Sequence, residues 1–148
     1  METLRVVGQP VARKDSFDIV TGNVAYSVDV SLPGMLHGKI VRSAIPSGKV
    51  ARLDVSRAKA LPGVKAIIAS ADVPSRRFGY AVKDEQIFAL SKIRYAGEPI
   101  AAIAAVDEET AEEAARLVEV EYEESPGLFD VLEAAREGAP LVHEQMGS

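Results

Sequence analysis

Short runs of alternating apolar and polar residues dominate the middle of the chain and predict strands. Gly38–Ser43 alternates and stops at the turn-rich run Ala44–Gly48; Val50–Val55 resumes, with Val50, Leu53 and Val55 apolar. Val64–Ala69 reads as a third strand. Ile100–Val106 is a continuous apolar run, and four of its residues are Ala. The proline before it and the capping residue after it favour a buried strand that a neighbouring element approaches closely. In Val118–Glu123, Val118, Val120 and Tyr122 face one way and three glutamates the other, as in a half-exposed strand. Ile87–Leu90 and Ile93–Tyr95 are short strand candidates.

Helical signals lie between these runs. Ser56 is a plausible N-cap for Arg57–Leu61, which Pro62-Gly63 terminates. Asp107 caps the best helix, Glu108–Val118. Its first turn is acidic, and Ala111, Ala114, Ala115 and Val118 form an inner stripe. Val131–Glu137 predicts a further short helix closed by Gly138. Ala71–Pro74 reads as a turn or a single helical turn, and Ser75–Gln86 as an exposed loop. The first 36 residues read as loop with short extended pieces, and Val20–Tyr26 as strand, turn, strand. The fold class is α+β: short strands, mixed or antiparallel, packed with two main helices. No domain boundary falls inside 1–148. Residues 1–10 are expected to be a loose N-terminal segment.

The length of 148 residues suits one domain, and 47% apolar content argues for a packed core rather than disorder. Without cysteine, the chain has no disulfide, no thiolate metal site and no cysteine-held iron–sulfur cluster of its own. Composition fits a cytoplasmic protein. No apolar stretch approaches the ~20 residues of a membrane span, so a membrane role is not expected. Charge is uneven: residues 1–60 carry nine Lys/Arg against five Asp/Glu, and residues 61–148 carry eight against seventeen. The acidic half and the 5% aromatic content disfavour nucleic acid. The split reads as two ordinary solvated faces, with a basic N-terminal surface that docks something acidic as the alternative.

The residues that could carry chemistry are sparse. His37 and His143 are far apart in sequence, with no ligand spacing. Glu108-Glu109, Glu112-Glu113 and Glu123-Glu124 lie on exposed positions, with nothing to raise a carboxyl pKa for acid–base work. Arg76-Arg77 is a basic doublet in a loop, and an exposed arginine can clamp an anion. Phosphate-loop, dinucleotide and nucleophile-elbow motifs are missing. The expected sets of catalytic, cofactor-binding and metal-binding residues are therefore all empty.

Taken in order, several segments resemble a known family. They are Asp18–Tyr26 with Asp29; Leu32-Pro33-Gly34-Met35-Leu36-His37-Gly38-Lys39-Ile40-Val41-Arg42-Ser43; Ala60–Val64; Ala71–Pro74; Lys92-Ile93-Arg94-Tyr95-Ala96-Gly97-Glu98-Pro99-Ile100-Ala101; Leu117–Glu123; and Asp130–Glu144. Together they resemble the a/b hammerhead domain of the xanthine dehydrogenase/aldehyde oxidase family, which begins the molybdenum-binding large subunit. The resemblance implies a non-catalytic part of a molybdopterin-dependent hydroxylase or dehydrogenase, with structural and docking roles. No cofactor is expected in this chain and no activity from it alone. Its implied partners are the molybdenum-cofactor domain or subunit, and iron–sulfur and FAD subunits. On this reading residues 139–148 start a linker to the cofactor domain. Gly22, Gly34, Gly63 and Gly97 serve turns, and Arg42 and Arg94 tie strands to neighbours. The chain departs from the family at Ser43–Val50, where two histidines often present are replaced. The alternative is a stand-alone binding or scaffold module. An isolated domain of this kind would tend to self-associate through apolar surface, with Ile100–Val106 and the N-terminal segment as candidates.

Overall fold

The computed structural model describes residues 6–89 and 91–143. Three expectations fall partly outside them: residues 1–5 of the N-terminal segment, Leu90 of the proposed strand Ile87–Leu90, and 144–148 of the proposed linker. The chain divides into two compact units, 1–35 and 36–148.

In the first unit, the expected strand–turn–strand at Val20–Tyr26 is replaced by a helix that ends there, α1 (Ser16–Thr21). Local polar groups favour it. Ser16 Oγ donates to the Arg13 carbonyl, and Thr21 Oγ1 donates to the Phe17 carbonyl one turn back. Gly22, at φ +73°, takes the left-handed conformation that stops the helix. The turn expected at Gly22 is present, but it follows a helix rather than a strand. A 3-10 turn spans Ser27–Asp29.

The second unit holds two antiparallel sheets. The first is β1 (His37–Arg42), β4 (Pro99–Ala105) and β3 (Val64–Ala69), with β4 in the centre. The second pairs β2 (Gly48–Asp54) with β5 (Glu119–Glu124). Helices α2 (Ser56–Ala60) and α3 (Glu108–Arg116) cover one face of the first sheet. The main core joins Ala58, Ile103 and Ala114, bordered by Val41, Leu61, Ile67 and Val118. Alanine at these helix and strand positions lets the backbones approach closely, as the Ala-rich run predicted. A second cluster, Ile45, Ala89 and Ile93 with Val50 and Tyr122, lies on the two-stranded side.

Caps set the helix starts. The Asp107 carboxylate accepts the Thr110 N–H at 2.7 Å, as expected. Ser56 does not cap α2. It is the first helical residue, and the Asp54 carboxylate accepts its N–H at 2.9 Å. The last helix, α4 (Val131–Ala134), stops short of Glu137; Asp130 caps it through the Leu132 and Glu133 N–H groups. The segments Ile87–Ala89 and Ile93–Tyr95 form no strand: Ile93 makes a single bridge to Gly48. All four glycines expected at turns have positive φ.

Candidate functional site

The second unit carries an open groove of about 740 Å³. Ser47–Lys49, Ser91–Ala96, Glu123–Phe129 and Pro140–Val142 wall it. The turn at its base is built from the Arg94–Pro99 stretch. Glu98 is buried, and its carboxylate accepts the Arg94 N–H at 2.6 Å while lying 3.5 Å from the Arg94 guanidinium. Arg94 Nη1 also donates to the Lys92 carbonyl. The Glu98 carbonyl accepts from Ser43 N, the Ser43 carbonyl accepts from Gly97 N, and Arg42 Nη1 donates to the Gly97 carbonyl. Arg42 therefore ties β1 to this turn, as expected. Arg94 folds back on its own turn instead of reaching a neighbouring strand.

The remaining sequence candidates are scattered. His37 opens β1, half-buried, near the Asp107 cap. His143 Nε2 lies 3.2 Å from Asp84, so the two histidines have separate local partners. Arg76 is exposed and Arg77 half-buried, just before the loop that the Phe78–Glu85 bridge closes. Glu108 and Glu109 are exposed in the first turn of α3. Glu112 is held by Lys39 at 2.6 Å, and that hydrogen bond lowers its carboxyl pKa. The Thr110 hydroxyl and N–H lower the pKa of Asp107, and the Ser56 N–H and hydroxyl lower that of Asp54. All three shifts favour the carboxylate, the opposite of what a general acid at neutral pH needs.

Three buried side-chain atoms among the described residues have no hydrogen-bond partner, Gln86 Oε1, Arg94 Nε and His143 Nδ1, and of these residues only Gln86 was not singled out by sequence reasoning. Their common signal, burial in irregular segments, is not visible in a pattern of apolar periods.

A molybdopterin needs anion-binding backbone and cationic groups free to meet its phosphate. In the groove, Lys49 is paired with Glu123 at 2.8 Å and Arg94 with Glu98. Among the described residues, no group of three His, Asp or Glu could hold a metal. The described residues of this groove do not fit the cofactor, and no chemical step is assigned to them.

The order of elements and the stapled Arg94–Pro99 turn define a hammerhead-type α+β domain. A family model described as aldehyde oxidase and xanthine dehydrogenase, a/b hammerhead domain, matches residues 21–126. The chain belongs to that family. It is 35% identical, over 98% of its length, to 18% of the carbon monoxide dehydrogenase large chain of Afipia carboxidovorans. It is likewise 35% identical, over 88% of its length, to 19% of the xanthine dehydrogenase molybdenum-binding subunit of Escherichia coli O157:H7. The nicotinate dehydrogenase large molybdopterin subunit of Eubacterium barkeri matches at 34% over 94% of this chain and 33% of its own length. A crystal structure of Cu,Mo-CO dehydrogenase superposes with a TM-score of 0.86 at 34% identity, covering 95% of this chain and 18% of that one. The chain thus spans about a fifth to a third of these relatives.

Proposed function

We propose that this domain is the non-catalytic hammerhead part of a molybdopterin-dependent hydroxylase or dehydrogenase large chain, and that its work is structural: it docks and positions. One observation carries the reading. The signature stretch Arg94–Pro99 is spent on holding its own turn and Ser43, through the buried Arg94–Glu98 pair and three backbone-directed bonds. A segment committed in this way organises backbone. Molybdopterin, iron–sulfur and FAD groups belong to the complete assembly, in the cytoplasm, and substrate oxidation takes place outside this domain.

The test is activity partition. The protein is immunopurified from its source cells with antibody against this domain. It is then assayed for reduction of an artificial electron acceptor with a panel of aldehydes and N-heterocycles. The isolated 148 residues are assayed in parallel. Turnover in the immunopurified assembly and none in the isolated domain is expected. Turnover by the isolated domain refutes the reading.

A further inference from the structure

Among the described residues of the second unit, α2 and α3 pack on one face of the three-stranded sheet, and its other face carries an apolar surface. Cross-strand register places Ile40, Ala102 and Ile68 in one row, and Gly38, Ala104 and Ala66 in the next. Residues directly opposite in register project to the same side of a sheet. Ile103 and Ala105, between them on β4, are buried, and Ile103 belongs to the helix-side core. The six residues named therefore face away from α2 and α3. Ile40 and Ile68 are 40% and 44% exposed, although isoleucine is among the residues most often fully buried. None of the six is charged, so this face is not a solvated surface in composition.

The surface is a trough rather than a plane. Its floor is Ala102 and Ala104 on the central strand; Ile40 and Ile68 on the outer strands wall it beside Ala102, and Gly38 and Ala66 leave it open beside Ala104. Two inter-strand spacings put those walls roughly 9.5 Å apart, which is close to the ~10 Å diameter of an α-helix with small or medium side chains. A concave face cannot fill a copy of itself: in a twofold pairing the isoleucine walls meet and the alanine floors leave a void. The shape selects a convex rod. The large chains of the relatives run roughly three to five times the length matched here, so in them this fold is joined to several hundred more residues.

We propose that the Ile40–Ala102–Ile68 trough seats an apolar-faced α-helix from the molybdenum-binding remainder of the large chain. The proposal rests on the functional reading above and adds the surface and the kind of element it receives. The seated helix lies along β4, with small side chains over Ala102 and Ala104 and larger ones against the two isoleucines.

The test places a photo-crosslinking benzoylphenylalanine at position 68 of the full protein in its source cells, with position 109 on the outside of α3 as control. Irradiation and peptide mapping are expected to join position 68, and not 109, to a helical segment of the molybdenum-binding chain. Ala102→Arg, which fills the floor, is expected to abolish that crosslink without moving the Tm. If it lowers the Tm, Ile40→Lys at the opposite wall takes its place. A crosslink from 68 to a second copy of this domain or to an unrelated protein, or no crosslink from a folded protein, overturns the proposal. If the purified protein carries the molybdenum-binding chain but 68 does not reach it, only the surface assignment fails. If that chain is absent altogether, the functional reading fails with it.

Discussion

The Arg94 guanidinium stands 3.5 Å from the Glu98 carboxylate, and both side chains are nine-tenths or more buried. Glu98 also accepts the Arg94 N–H, so one carboxylate fixes both the charge and the backbone of the turn. Removing one partner of a buried pair leaves the other charge desolvated, at about 3–5 kcal/mol. Glu98→Ala is expected to destabilise the domain by roughly that amount in urea unfolding. Glu98→Gln keeps an acceptor for the Arg94 N–H and is expected to lose less. Equal losses for the two variants would mean that the ion pair carries the stabilisation and the Arg94 N–H bond contributes little.

Gly48 and Gly97 both have positive φ but differ in surroundings. A Cβ on Gly48 would press into the Glu123 carbonyl oxygen and lie 2.8 Å from Ile45 Cδ1, whereas one on Gly97 meets nothing within 4 Å. Gly97→Ala is expected to carry only the left-handed penalty, about 1–2 kcal/mol. Gly48→Ala adds a backbone clash between β2 and β5 and is expected to lower the Tm more. The comparison of the two melting temperatures decides it.

The carboxylates of Asp54, Asp107 and Glu112 have pKa values lowered by their hydrogen bonds. A group whose folded pKa lies below its unfolded one stabilises the fold above the unfolded value, and this is lost as pH falls through the folded one. The stabilisation is therefore complete at neutral pH and declines below about pH 4. Asp107→Asn and Glu112→Gln are each expected to flatten the acid limb of a Tm-against-pH curve while leaving its neutral plateau shape unchanged. An acid limb identical to wild type in both variants would contradict the assignment.

Ala58 and Ala114 are fully buried where α2 and α3 meet the sheet. A larger side chain there has no room to expand into. Ala114→Leu is expected to cost about 1–3 kcal/mol through overpacking, read by chemical denaturation. No loss would mean that the helix stands off the sheet.

Much of this architecture was legible in the sequence, because strong local signals agreed with the tertiary environment. The Ala-rich run became the central strand, and Asp107 capped α3, since apolar period and capping chemistry both act over a few residues. Where one signal competed with another, the reading failed. Val20–Tyr26 carries β-favouring residues, yet Ser16, Thr21 and Gly22 close a helix just before and into it. Ser56 has a capping hydroxyl, yet the Asp54 carboxylate two residues earlier reaches its N–H first. The charge split has a cause that needed the register: Lys49, Arg52 and Arg57 of the basic half face Glu123, Glu121 and Glu119 of the acidic half. The groove and the trough were not legible, because each joins segments distant in sequence.

The central claim is that this domain serves a molybdenum enzyme without holding its metal. The most direct measurement is the molybdenum content of the protein immunopurified from source cells, set against the isolated 148 residues loaded under the same conditions. Molybdenum in equimolar amount with the domain in the first sample, and none in the second, is the predicted result. Molybdenum bound by the isolated domain, or absent from the native assembly, would contradict it.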